Sequence, residues 1–306
     1  MRNIHKELPV RPRGVLRTDP ALTEVAALRA PVTDVSDGRT DVGSTIHHPR
    51  ILPASMAGAP RLFVATRNPQ RDPHAQQLHH IVPLTPGAAP EFSWADSHSY
   101  DAAVVDLDRD GAAELYVGHL AYSRRLSRVT HGPDGWRRDA AHPATDRTVS
   151  DVYGLEAGDL DGDGLPELVV AVGPWNAFDV RVFRADDRGE LRLVARKTLG
   201  HVSSLALPRA GAGRRIAATK RDDFPSPRRF GPDRPNGEPA GLYVLELDRD
   251  ALAIHQFFPA RAGDAPPHDF DWVRAGDLDG DGRDDLAAEA GDDLALLRGG
   301  GDDGFL

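Results

Sequence analysis

The chain has 306 residues and no cysteine, enough for one large domain or two ordinary ones, with disulfides and thiolate metal sites excluded. Its formal net charge is −10, but twelve of its 47 acids occupy the shared positions of three short repeated loops, and the remaining 35 nearly balance 37 basic residues. That balance, with no basic patch interleaved with aromatics, argues against nucleic acid as a partner, and no run of about 18 apolar residues argues for a membrane span.

The first thirty residues contain no apolar stretch of the kind a secretory leader needs, which points to a cytoplasmic protein, with residues 1–40 an N-terminal segment that partly closes a domain over 41–306. The first repeated unit is "HHPRILPASMAGAPRLFVAT" (His47 to Thr66), a strand, a glycine-containing turn and a strand. A long connection follows from Arg67 to His80. Then "DLDRDGAAELYV" begins at Asp106, "DLDGDGLPELVV" at Asp159 and, further on, "DLDGDGRDDLAA" at Asp277. The second gap is about twice the first, which places an acid-free unit between them, and "HVSSLALPRAGAGRRIAATK" (His201 to Lys220) fits. A second long connection, Arg221 to Gly241, follows it. "ELDRDALAI" keeps Glu246, Asp248 and Asp250 but lacks the glycine and the ninth-position acid, and reads as an ordinary turn. The last unit ends "LALLRGGGDDGF" and looks short, as though a segment near the N-terminus completes it.

The three loops share D-x-D-x-D-G-x-x-[DE]-L. Their carboxylates are Asp106, Asp108, Asp110 and Glu114; Asp159, Asp161, Asp163 and Glu167; and Asp277, Asp279, Asp281 and Asp285. Hard cations such as Ca²⁺ take six to eight oxygens from a flexible cage. Acids at positions 1, 3 and 5 of a tight turn converge on one point, and glycine at position 6 allows the reversal. An EF-hand is rejected, because position 12 is Val117, Val170 or Ala288 rather than glutamate, and the flanks read as strands.

Units of roughly 40–60 residues with about four short strands each predict an all-β chain forming a single β-propeller. Five blades are expected, six or seven are alternatives, and two stacked sandwiches are a further alternative. The calcium loops would join the first and second strands of three blades. "AGDLDGDGLPELVVAVG" and the closing "LALLRGGGDDGF" resemble the FG-GAP/VCBS repeats of integrin-α-like calcium propellers. The resemblance runs from about residue 45 to 306 and is strong in three units. It implies up to three structural Ca²⁺ ions held by the twelve acids.

Each hairpin has a second end, about six residues or roughly 20 Å from its loop. Aligned there, six residues before the first loop position or its equivalent, are His47, Tyr100, Tyr153, His201 and Asp271, with His48, His98, Asp101, Asp151, His268 and Asp269 beside them. The ends of the second strands bring Arg67, His119, Trp175, Lys220, Arg221 and Glu289. Histidine transfers protons near neutral pH, and lysine is conspicuous here because the chain has only Lys6, Lys197 and Lys220. The expected catalytic set is therefore His47, His119, Tyr153, His201, Lys220 and Asp271, at the mouth of a central channel. His47, His48, His119 and His201 could alternatively hold a catalytic divalent metal. The two long connections are expected to form a lid.

These residues point to an acid–base lyase, dehydratase or isomerase acting on a polyhydroxylated or carbonyl-bearing small molecule. Proteins similar to aldos-2-ulose dehydratase/isomerase place such chemistry on a VCBS-type propeller. The alternative is a non-catalytic carbohydrate- or protein-binding propeller. A binder repeats its site in every blade, whereas here the residues differ from blade to blade. The sequence leaves the oligomeric state open.

Overall fold

A computed structural model describes residues 47–68, 77–85, 87–119, 126–141, 151–173, 178–186, 188–210, 213–221, 238–259, 270–290, 293–300 and 304–305. The expected N-terminal segment, the bodies of both long connections (69–76 and 222–237), His268, Asp269 and Trp175 lie outside these residues. Among the described residues there is no helix, and the strands form antiparallel meanders. Sheet one holds β1 (His47–Leu52), β2 (Arg61–Arg67), β3 (Gln77–Pro83) and β4 (Phe92–Asp96). Sheet two holds β5 (Ser99–Val105), β6 (Glu114–His119), β7 (Leu126–Gly132) and β8 (Gly135–Ala140). Sheet three holds β9 (Val152–Gly158), β10 (Glu167–Val172), β11 (Asp179–Ala185) and β12 (Leu191–Thr198).

Sheet four is interrupted. Between β13 (Val202–Ala206) and β16 (Ile216–Lys220) the chain makes a small ribbon, β14 (Arg209–Ala210) with β15 (Gly213–Arg214). The sheet continues with β17 (Gly241–Asp248) and β18 (Ala251–Pro259), whose connecting turn contains the acidic near miss. Sheet five has three strands, β19 (Phe270–Gly276), β20 (Asp285–Ala290) and β21 (Asp293–Leu297). The first strands β1, β5, β9, β13 and β19 lie side by side in that order.

The second strands of sheets two, three and four are apolar runs because both of their faces are covered. In β10, Leu168 and Val170 pack towards sheet two with Ala103, Tyr116 and Val152, while Val169 and Ala171 pack towards sheet four with Leu205 and Ile216. In β6, Leu115 and Val117 face Phe63, Ile81 and Trp94 of sheet one, and Tyr116 faces sheet three. Ala217 and Ala218 divide in the same way between sheets five and three. A strand alternates its side chains between faces, so each inter-sheet layer takes every second residue. Burying one such Val or Leu contributes roughly 1.5–3 kcal/mol.

Close approach sets where glycine is required. A Cβ on Gly118 would lie 2.4 Å from Val152 Cγ1, whereas one on Gly132 would meet nothing within 4 Å. Gly118→Ala should therefore overpack the layer between sheets two and three and cost about 1–3 kcal/mol. Gly132→Ala should be near neutral or slightly stabilising, and paired urea melts would show the contrast.

Candidate functional site

Each acidic loop lies between a first and a second strand, and all three fold alike. The first aspartate accepts the amide of position 6: Gly111 N to Asp106 Oδ2 at 3.0 Å, Gly164 N to Asp159 Oδ2 at 2.9 Å and Gly282 N to Asp277 Oδ2 at 2.9 Å. The third-position acids Asp108, Asp161 and Asp279 accept the amides two residues on, at 3.3, 3.2 and 3.1 Å. Asp110, Asp163 and Asp281 do the same for Ala112, Leu165 and Arg283 at 2.8, 2.7 and 2.9 Å. The buried ninth-position acids Glu114, Glu167 and Asp285 reach back to the amides of Leu107, Leu160 and Leu278 at 3.2, 2.8 and 2.9 Å.

Position 4 is left-handed as well as position 6. Arg109, Gly162 and Gly280 have φ of 58°, 78° and 80°, and Gly111, Gly164 and Gly282 have 89°, 81° and 85°. Glycine at position 4 in two of the three loops is a signal the motif reading missed. Arg109 is the exception, and its guanidinium donates to the carbonyl of Gly164 in the next loop.

The carboxylates that gather closely enough to share an ion are Asp106, Asp108, Asp110 and Glu114 in the first loop; Asp159, Asp161 and Glu167 in the second; and Asp277, Asp279 and Asp285 in the third. Asp163 and Asp281 stand outside the gathered sets. The donor chemistry is all carboxylate oxygen, which suits Ca²⁺. Asp106 Oδ1 is buried with no hydrogen-bond partner, so the first loop has an acceptor that a cation would satisfy. Burial, reinforced by the neighbouring Asp108, Asp110 and Asp106, pushes the Glu114 carboxyl up to about 7. Asp285 is held low, chiefly by the Gly299 amide.

The other end of each hairpin carries a repeated irregularity. The pairing of first with second strand slips between residues 47 and 50, 99 and 101, 152 and 154, 202 and 204, and 270 and 273. Such bulges re-aim side chains. Tyr100 and Tyr153 sit in two of them and stack at 4.2 Å between ring centroids. His98 meets Tyr100 edge-on at 5.2 Å, and His201 meets Tyr153 edge-on at 5.1 Å. Three consecutive sheets thus deliver one aromatic row.

Burial raises both tyrosines above the usual phenol range, and their mutual hydrogen bond raises Tyr153 further while easing Tyr100 back. Both remain protonated donors at neutral pH. His201 precedes β13, and the bulge residue equivalent to Tyr100 and Tyr153 is Ser203, which corrects the sequence alignment by two residues in this acid-free unit. The side chains of His47 and Asp271 lie outside the described residues, although their backbones sit at the equivalent strand starts.

Lys220 is buried, and its Nζ donates to the Arg221 carbonyl at 3.2 Å, while Arg221 N donates to the His201 carbonyl at 3.0 Å. It therefore braces the strand end that carries His201. Below the row is a network that sequence reasoning missed. Arg50 NH2 pairs with Asp101 Oδ1 at 2.8 Å and Glu156 Oε1 at 3.5 Å, and Asp101 Oδ2 accepts Leu155 N at 3.0 Å. Burial raises the Glu156 carboxyl to about 7, against the pull of Arg50.

His119 is elsewhere. Its neighbour Gly118 faces Val152 of sheet three, so alternation turns His119 towards sheet one. There it is fully buried, edge-on to His79 at 5.2 Å, with Nδ1 3.4 Å from the Ser97 carbonyl and Nε2 3.7 Å from Asp96 Oδ2. Arg138 also pairs with Asp96. The expected placement of His119 beside His201 is thus corrected. Of the alternative histidine metal cluster, the His47 and His48 side chains lie outside the described residues; among the described residues, the groups able to hold an ion are the three acidic ones. The first long connection is shorter than expected, because Gln77 to His80 already belong to β3.

No family model matches the chain, and no curated protein matches it. A crystal structure of a protein from Lactobacillus plantarum, a structural-genomics target, is similar at 13% identity and TM-score 0.48, over 83% of this chain and 67% of that one.

Burial depresses His119 to about 4 and holds His79 well below its ordinary value. Histidines depressed in the fold stay neutral while the unfolded chain takes up protons below about 6.5. Stability should therefore fall as the pH drops from about 6.5 towards 4. His119→Gln should remove about one proton from that dependence, flattening the slope by up to about 1.4 kcal/mol per pH unit in urea melts.

Proposed function

We propose that this chain is an intracellular, calcium-braced β-propeller of five blades in the FG-GAP/VCBS manner, and an acid–base lyase, dehydratase or isomerase of polyhydroxylated or carbonyl-bearing small molecules. The observation that carries the reading is the row Tyr100–Tyr153–His201, which converges from three sheets onto one end of the hairpins. In this reading the five first strands line a central channel, and the row stands at its mouth.

Bound calcium supplies only a fixed point of positive charge that locks each acidic loop; the reaction belongs to the opposite end. His201 takes the proton α to a carbonyl, and the protonated phenols of Tyr153 and Tyr100 donate to the oxygen on which negative charge develops. Lys220 acts as a positioning residue through the Arg221 backbone. The half-buried Tyr100–Tyr153 stack also favours a second reading, a platform for a sugar ring in a non-catalytic binding propeller.

Incubation with a library of sugars, sugar acids and keto compounds, followed by mass spectrometry, tests the first reading. Depletion of one compound should slow about 10²–10⁴-fold in His201→Ala, slow in Tyr153→Phe and persist in Gly132→Ala. Depletion unchanged in His201→Ala and Tyr153→Phe would exclude this site. Saturable binding without turnover, lost in the same variants, would establish the binding module instead. Separately, stripping calcium with EDTA should lower the melting temperature by roughly 5–10 °C, as expected for a site held at about 100-fold above its dissociation constant. A melt insensitive to chelator and to added calcium would sink the brace.

A further inference from the structure

We infer that the three acidic loops are not equivalent calcium receptors, and that the residue facing the ninth-position acid from the third strand decides which loop depends on the ion. The first loop is the dependent one. This inference rests on the calcium reading proposed above.

Register identifies the deciding residue. In sheet two, Leu115 pairs with Val129, so Thr130 stands across from Glu114. In sheet three, Leu168 pairs with Phe183, which puts Arg184 across from Glu167. In sheet five, Leu286 pairs with Leu297, and the next residue across from Asp285 is Arg298. Directly opposed side chains on a sheet lie on one face and interact.

Both arginines are spent on their own loops. Arg184 donates through Nε to Glu167 Oε1 at 2.7 Å and through NH2 to Asp161 Oδ2 at 2.5 Å. Arg298 lies 2.9 Å from Asp279 Oδ2 through Nε and 3.2 Å from Asp281 Oδ2 through NH2. The ninth acids are also saturated. Glu167 accepts Leu160 N on its other oxygen, and Asp285 accepts both Leu278 N and Gly299 N. Each of these loops already contains a cation bound by charge-assisted hydrogen bonds.

Among the described residues, no guanidinium bridges the acids of the first loop. Thr130 is uncharged, and the nearby arginines are engaged elsewhere: Arg109 with the Gly164 carbonyl, Arg128 with the Gly189 carbonyl at 2.8 Å, and Arg137 with Asp139 at 2.8 Å. All four acids gather, and the buried Asp106 Oδ1 has no hydrogen-bond partner. Calcium entering this loop displaces nothing. In the other two it competes with a guanidinium for the same oxygens, which should weaken binding roughly ten- to hundred-fold. Without calcium, the second and third loops keep their counter-charge, whereas the first is left with four converging carboxylates.

Calorimetric titration of calcium chloride into the EDTA-stripped full chain tests this. One tight site should appear, with further binding at least tenfold weaker. Thr130→Arg should abolish the tight class, and Arg184→Met should create a second tight site. Arg298→Met provides the same gain independently if Thr130→Arg does not fold. Three sites of equal affinity, or a tight class untouched by Thr130→Arg in a folded chain, would overturn the inference and leave the calcium reading standing. Absence of any calcium heat together with an unchanged melt would overturn both.

Discussion

Face-to-face packing of neighbouring sheets governs this structure. Sheets two, three and four each have a neighbour on both sides, so their second strands give Leu115 and Tyr116, Val169 and Val170, and Ala217 and Ala218 to opposite layers. A strand covered on both faces has no room for an unpaired charge. Polar chemistry is therefore displaced to the two ends of each first hairpin. One end collects carboxylates, the other phenols and imidazole.

The carboxylate end also connects the sheets. Arg109 of the first loop donates to Gly164 of the second. Leu160 of the second loop accepts Arg214 N from the ribbon of sheet four at 3.2 Å. Arg209 of that ribbon donates to Asp284 of the third loop through its amide at 2.8 Å and its guanidinium at 2.8 and 3.0 Å. The unit without acids thus keeps its place in the series by a different device. These contacts tie sheets two to five together at the loop end.

At that far end the bulges matter more than residue type. Tyr100 and Tyr153 stack across two sheets because each occupies the slip in its hairpin register. Burial then keeps both phenols protonated, which fixes their part in the proposed chemistry as donors. Beneath them the Arg50–Asp101–Glu156 network joins three first strands. Neither the bulges nor the network leaves a periodic mark in the sequence, because the bulges arise from strand register within a hairpin and the network from residues 51 or more positions apart.

The sequence by itself determined the all-β class, the hairpins around the three acidic loops and the glycines those loops need. Those features follow from local spacing and backbone sterics, which a short window contains. It also led to Tyr100 and Tyr153, because a repeat carries equivalent positions to equivalent places, whereas His201 meets Tyr153 from two residues ahead of the equivalent Ser203. Only the tertiary structure decided that His119 turns into the layer against sheet one, since alternation on β6 is set by the packing of Gly118 on Val152. It alone decided that Lys220 braces rather than faces outward, and that Arg184 and Arg298 lie across from acids where Thr130 does not. Those outcomes depend on which strand pairs with which, and in what register. That information belongs to the assembled sheets.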